Sequence, residues 1–146
     1  MSEYKPKNYI NAITLYRFYS MPTIRKIPFL SKALEAINYI IFNCSIPASA
    51  VIGNGTFCSH RGMAVVIHKN AVIGDNCVIG TCVTLGGKGN GKPGAPVIGN
   101  KVVISTGSKV LGNVNISDNV TIGANSVVLQ DVTEGVTVVG VPGRVL

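Results

Sequence analysis

Ile98-Gly-Asn-Lys-Val-Val, Ile104-Ser-Thr-Gly-Ser-Lys, Val110-Leu-Gly-Asn-Val-Asn, Ile116-Ser-Asp-Asn-Val-Thr, Ile122-Gly-Ala-Asn-Ser-Val and Val128-Leu-Gln-Asp-Val-Thr133 follow one another without a gap. An aliphatic residue opens each unit of six. The fifth place holds Val102, Ser108, Val114, Val120, Ser126 and Val132, all small or β-branched. A helix would set apolar residues at i, i+3, i+4 and i+7, and this stretch does not. Strict strand alternation fails as well, because Gly and Asn recur between the apolar places. A short fixed period with one aliphatic anchor per repeat is the mark of a solenoid. Each hexad supplies a short strand and a corner, and stacked coils bury a column of Ile and Val that one hexad cannot bury alone.

Outward from that stretch, the hexads begin at Ile46 and Ile52, reach Cys58, and resume at Ile67, Ile73, Ile79 and Leu85. The step from 58 to 67 is nine residues, so part of 59–66 leaves the coil, and His60 lies in that departure. A second break separates Leu85 from Ile98. It reads Gly86-Gly-Lys-Gly-Asn-Gly-Lys-Pro-Gly-Ala-Pro, too rich in Gly and Pro for a strand. Loops thrown from one face of a solenoid often carry its binding surface. Residues 1–7 are expected to be disordered or loosely docked. From Asn8 to Asn43 the pattern is helical. Tyr9, Ile10, Ile13 and Tyr16 form one apolar stripe, and Ala33, Leu34, Ile37, Ile40 and Ile41 form another. Pro22 and Pro28 divide the segment, and Ser31 is placed to cap the second long helix.

The 146 residues suffice for one domain. Charged residues make up 13% of the chain, and mean hydropathy is +0.39. The six-residue period disperses the apolar residues, and none of the runs approaches the roughly 20 that a membrane span needs. The polar start MSEYKPKNY shows no signal peptide. Cys44, Cys58, Cys77 and Cys82 lack paired CxxC spacing, which reads as buried free thiols in a reducing cytoplasm. A net charge of +7 suits an anionic partner. The cations are scattered rather than clustered, which favours a phosphate-bearing cofactor over nucleic acid. Arg17, Arg25, Lys26 and Lys32 beside the helical stripes raise contact with a membrane surface, and packing on the solenoid end or on a neighbouring subunit is the preferred reading.

Ser59-His60, Gly62-Met-Ala-Val-Val-Ile-His68, Val83-Thr-Leu-Gly-Gly87, Ile104-Ser-Thr-Gly-Ser-Lys-Val-Leu-Gly112, Ile122-Gly-Ala-Asn-Ser-Val-Val128 and Gly140-Val-Pro-Gly-Arg144 occur in that order. Over residues 46 to 146 the chain resembles a hexapeptide-repeat acyltransferase of the serine acetyltransferase-like branch, a branch often associated with surface polysaccharides. The resemblance implies an all-β solenoid, a left-handed parallel β-helix with three hexads per coil. That hand is opposite to the usual crossover rule. The implied division is an N-terminal helical segment over 1–45, the β-helix over 46–133 with an inserted loop at 86–97, and a C-terminal tail over 134–146. A homotrimer with sites between subunits, and acetyl-CoA as donor, are implied too.

His60 matches the family's catalytic histidine. An alcohol becomes a good nucleophile only as its proton leaves, and an imidazole can take that proton and return it to a leaving thiolate. A backbone N–H from a neighbouring coil would receive the developing oxyanion. His68, at the second place of its hexad, reads mainly as structural. Two histidines cannot give the three-histidine set of a zinc-dependent hexapeptide-repeat carbonic anhydrase, so no metal is expected. By the resemblance, Thr106, Gly107, Gly123 and Ala124 line the pantetheine arm. Gly86 and Gly87 border the thioester end, Pro142 and Arg144 pack near the adenine, and Lys109 is a further phosphate candidate.

Three positions bear on the acceptor: Ser45, Ala95 and Arg61. Serine acetyltransferases carry an aspartate where this chain has Ser45 and another where it has Ser59. Asn43, Ser45, Ser59 or a residue of the next subunit is left to orient His60. Ala95 stands where those enzymes place a second histidine that helps to hold the amino acid. These departures favour the hydroxyl of a sugar or glycan precursor, with Arg61 and loop 86–96 supplying contacts. The alternatives are serine O-acetylation and a non-catalytic trimeric scaffold.

Overall fold

The computed structural model describes residues 10–87, 89 and 94–146. Residues 1–9, and residues 88 and 90–93 of the glycine-rich stretch, which carried expectations above, lie outside them. Three helices come first: α1 (Ala12–Tyr19), α2 (Pro22–Arg25) and α3 (Pro28–Phe42). Asn11 caps α1, its Oδ1 accepting from the N–H groups of Ile13 and Thr14 at 2.9 and 3.1 Å. Proline opens both α2 and α3, where its missing N–H costs nothing. Ser31 is therefore not the cap that was expected. It sits a turn inside α3, and its hydroxyl donates to the Tyr19 carbonyl at 3.4 Å.

From Val51 the chain coils into a left-handed parallel β-helix with three flat faces. The first face stacks Val51–Ile52, Val72–Ile73, Val97–Ile98 and Asn115–Ile116. The second stacks Phe57–Cys58, Val78–Ile79, Val103–Ile104, Thr121–Ile122 and Thr137–Val139, and ends on an antiparallel strand, Arg144–Val145. The third stacks Val66–Ile67, Thr84–Gly86, Lys109–Leu111 and Val127–Val128, with Ser45 bridged to Val66 above it. The first residue of each hexad points inward. Ile67, Ile73, Ile79, Leu85, Ile98, Ile104, Val110, Ile116, Ile122 and Val128 are all buried. The fifth places face inward near the corners, where two serines would be costly unless bonded. Ser108 Oγ lies 2.7 and 2.9 Å from the carbonyl oxygens of Ser105 and Gly123, which share its single hydrogen. Ser126 Oγ accepts the Gly140 N–H at 3.1 Å.

The upper end of the helix is closed by α1. The Tyr16 and Tyr19 hydroxyls donate to the carbonyls of Ala50 and Ile46, and the Arg17 guanidinium donates to that of Gly53 at 2.6 Å. Asn38 of α3 ties this cap together, its Nδ2 donating to Tyr19 Oη at 2.9 Å and to the Ala12 carbonyl at 3.3 Å. The helical segment thus packs on the solenoid end. The second apolar stripe behaves otherwise than expected. Ala33 and Leu34 are half-buried, but Ile37, Ile40 and Ile41 face outward. The buried face of α3 is Ser31, Asn38 and Phe42.

Ile104 is fully buried between the coils above and below it. Ile104→Ala should lower unfolding stability by about 2–5 kcal/mol, through lost burial and the cavity left behind. Urea titration followed by far-ultraviolet circular dichroism would measure it, and a loss under 1 kcal/mol would contradict the stacked column.

Candidate functional site

Each coil must bring its strands back into register with the coil beneath, so extra residues can enter only at corners. From Val78 to Thr84 the chain crosses from the second face to the third in six positions, and from Phe57 to Val66 it takes nine. The surplus makes a tight turn, Ser59–Gly62, in which His60 (φ 49, ψ 41) and Arg61 (φ 66, ψ 2) are both left-handed. Such a conformation costs a non-glycine residue about 1–2 kcal/mol. Gly62 follows at φ 89, and a Cβ there would stand 2.9 Å from the Ala12 Cβ and 3.2 Å from the Cys58 Cβ. Helix α1 therefore backs the turn, and the His60 ring is left exposed on the outer side.

Below this turn the same corner repeats along the axis as Gly80–Cys82, Ser105–Gly107, Gly123–Asn125 and the Gly140–Gly143 turn. Backbone bonds join it level by level. Cys82 N–H donates to Met63 O at 3.0 Å, Gly107 N–H to Thr81 O at 2.8 Å, and Asn125 N–H to Thr106 O at 2.9 Å. At the usual spacing of neighbouring strands, four such steps run roughly 19 Å from the His60 turn to Gly140. A depression of about 330 Å³ lies at the top of the column, lined by Ser59, His60, Val78, Gly80, Val103, Ile104, Ser105 and Thr106.

The structure thus aligns His60, Thr106, Gly107, Gly123 and Ala124 on one corner column, with the turn that holds Pro142 at its far end and exposed Arg144 just beyond it. Arg61 is exposed beside His60. Gly107, at φ 77, accommodates the turn, and a Cβ on it would collide with the Asn125 carboxamide. Lys109 flanks the column, but its ammonium already donates to the carbonyls of Gly107 and Cys82 at 2.8 and 3.2 Å. It clamps two coils, a role that its place in the sequence did not reveal.

Gly86, Gly87 and Ala95 stand at a different corner, between the third face and the first. His68 is there too. Its Nδ1 accepts the Asn70 N–H at 3.2 Å, and its Nε2 would lie 3.6 Å from a Cβ on Gly87. Ala95 is buried, 6% exposed. Within one chain these residues and His60 do not meet. Nor does Ser45 line the His60 depression. It borders a separate groove of about 450 Å³ with Lys32, Glu35, Ala36, Tyr39 and Cys44. Among the described residues, no hydrogen bond reaches the His60 ring from Asn43, Ser45 or Ser59. No group of three His, Cys, Asp or Glu side chains among them is placed to hold a metal ion.

The bacterial transferase hexapeptide model (six repeats) matches residues 95–130. Over 124 residues the chain is 45% identical to a serine acetyltransferase of Synechococcus elongatus, an alignment covering 84% of this chain and 50% of the relative. Over 138 residues it is 41% identical to a serine acetyltransferase of Helicobacter pylori, covering 94% and 80%. Among solved structures, serine acetyltransferase of Neisseria gonorrhoeae superposes with a TM-score of 0.86 at 34% identity, over 92% of this chain and 54% of that one. A serine acetyltransferase in complex with CoA superposes with a TM-score of 0.83 at 33% identity, over 92% and 55%. The chain spans about half the length of the first curated relatives it matches.

The cysteines give a direct check on the column. Cys44, Cys58 and Cys77 are buried as expected, but Cys82 is exposed at its corner with φ 57. Burial pushes the Cys44 thiol up to about 11 and raises those of Cys58 and Cys77 as well. The raised groups stay protonated and unreactive as pH climbs past the value of a free thiol. Iodoacetamide at pH 8 should therefore modify one cysteine in the native protein, Cys82, and all four after denaturation. Mass spectrometry that finds Cys58 or Cys77 labelled in the native protein would contradict this placement.

Proposed function

The chain belongs to the serine acetyltransferase branch of the hexapeptide-repeat acyltransferases, and on that premise we propose that it is an acetyl-CoA-dependent O-acetyltransferase with L-serine as acceptor. The observation that carries the reaction class is the placement of His60 and Thr106 on one depression at the head of the corner column. Acetyl-CoA supplies the acetyl group as an activated thioester. The column suits it, because its upper levels carry small residues and open backbone: Gly80, Ser105, Thr106 and Gly107, then Gly123 and Ala124. Arg144, exposed beyond the lower end, offers a guanidinium to phosphate. His60 takes the proton from the acceptor hydroxyl at an imidazole nitrogen as the oxygen bonds to the acetyl carbonyl carbon, and it returns that proton to the CoA thiolate that leaves when the C–S bond breaks. The backbone of the Ser59–Gly62 turn holds the His60 side chain at the head of the column.

Gly87, Ala95 and His68 reach such a site only from a second copy. We therefore include a homotrimer in the proposal, with the His60 column of one subunit facing the 86–95 corner of its neighbour. The acceptor is supported by the relatives' names, which reverse the preference for a sugar drawn from Ser45 and Ala95. Arg61, exposed next to His60, supplies a cation that the carboxylate of serine needs. A second reading, transfer to an uncharged sugar hydroxyl, retains one specific observation. Ala95 is buried and apolar, and a carboxylate desolvated there without a partner would bind poorly.

His60→Ala should cut turnover by about two to four orders of magnitude while leaving CoA affinity nearly unchanged. Thiol release from acetyl-CoA reads the first and calorimetric titration with CoA the second. Near-normal turnover in this variant would remove His60 from the chemistry.

Direct competition at equal concentration, between L-serine and a panel of hexoses and aminohexoses, decides the acceptor. The serine reading expects O-acetylserine as the main product, with each sugar lower in kcat/KM by about a hundredfold or more. Acetylation of a sugar with serine untouched would establish the second reading instead.

A further inference from the structure

We propose that the outward face of α3, together with the basic residues before it, docks on an anionic bilayer surface. The observation is an uncovered apolar face on a helix whose other side is already in use. Ser31, Asn38 and Phe42 pack inward. Outward stand Phe29 (86% exposed), Ile40 (78%) and Ile41 (63%), with Ile37, Leu30 and Tyr39 also exposed. At 100° per residue these six positions cover one continuous arc of the helix. The 15 residues of α3 extend it over about 22 Å. Single exposed apolar residues need no explanation, but a contiguous patch of this size marks an interaction surface.

Charge identifies the occupant. Between Arg25 and Ile41 the charged residues are the exposed Arg25, Lys26 and Lys32 and one half-buried carboxylate, Glu35, which borders the grooves beside the first coil together with Lys32 and, in one of them, Arg25, so the segment keeps a net positive charge. None of the three cations forms an ion pair among the described residues. A second copy docked face to face would bring the two basic clusters together with little to neutralise them. An anionic lipid surface instead offers negative headgroups to Arg25, Lys26 and Lys32 and a hydrocarbon boundary to Phe29, Ile40 and Ile41. Tyr39 has the apolar body and polar tip that suit the interface. No helix among the described residues is long and apolar enough to cross a membrane, so α3 would lie in the surface plane. Docking there leaves the corner column free, since none of these residues lines the His60 depression.

Cosedimentation with vesicles tests the idea on the whole chain. One set is equimolar phosphatidylglycerol and phosphatidylcholine, the other phosphatidylcholine alone, at about 0.1 M and about 0.5 M salt. The protein should pellet with the anionic set, fail to pellet with the neutral one, and be released by the higher salt. Arg25→Gln/Lys26→Gln/Lys32→Gln should lower partitioning roughly a hundredfold. Phe29→Ser/Ile40→Ser should abolish it without changing thiol-release activity or the oligomer seen by light scattering. If the serine pair fails to fold, the charge variant, confined to exposed side chains, decides alone. Equal partitioning on both vesicle sets, or none on either, would overturn the proposal. So would Phe29→Ser/Ile40→Ser breaking a wild-type oligomer into monomers, which would make this face a subunit interface.

Discussion

Every coil of this protein depends on the backbone ladder that ties it to the coils above and below. A two-residue strand such as Val103–Ile104 has little stability alone. It holds because its N–H and C=O groups pair with Val78–Ile79 on one side and Thr121–Ile122 on the other, and because the pairing stacks Ile79, Ile104 and Ile122 into one buried column. The ladder permits no extra residue within a face, since a slip of one would turn Ile104 outward and Val103 inward. Insertions are forced to the corners. The His60 turn and the glycine-rich loop therefore stand at corners, and at different ones.

A ladder of this kind also leaves open ends, which invite pairing with other chains. The upper end is closed by side chains rather than by another strand. Tyr16, Tyr19 and Arg17 satisfy carbonyls of the first coil, and Asn38 braces Tyr19 from behind. Burial raises the Tyr19 phenol well above its ordinary range, an effect that the bond from Asn38 only partly offsets. The lower end closes by folding Arg144–Val145 back antiparallel on Thr137–Val139. The upper cap does more than close an edge, because the Ala12 of α1 is also the surface on which Gly62 rests. Cap and site share a contact.

The coils were legible because the hexad states burial directly. An aliphatic residue every six positions has one physical use in a parallel β-helix, and the predicted anchors from Ile67 to Val128 are buried. The helical segment was legible only in outline. Hydrophobicity marked Ile37, Ile40 and Ile41 as a face that wants cover, but it does not say whether the cover lies in the same chain. Asn38 is buried because of partners on Tyr19 and Ala12, distant bonds that no local pattern encodes. The same limit applies at the site. The register break located His60, and the glycine-rich break located a loop. That they occupy separate corners follows from counting residues around the coil, with nine positions consumed at one corner and thirteen, from Thr84 to Val97, around the other. Lys109 looked like a free cation and is spent on Gly107 and Cys82.

His60 brings these constraints together. Catalytic imidazoles are commonly aimed by a hydrogen bond to the second ring nitrogen, and among the described residues this chain offers none. The main chain instead sets where the side chain leaves the corner. Two consecutive left-handed residues, His60 and Arg61, lift the ring off the corner, and such a conformation persists only where its surroundings over-determine it. Here they do. Met63 O is held by the Cys82 N–H, Asn43 O by the Ala64 N–H at 2.9 Å, and Gly62 packs so closely on Ala12 and Cys58 that a side chain there would have no room. With serine rather than a carboxylate at positions 45 and 59, the turn itself is what holds His60 at the head of the corner column.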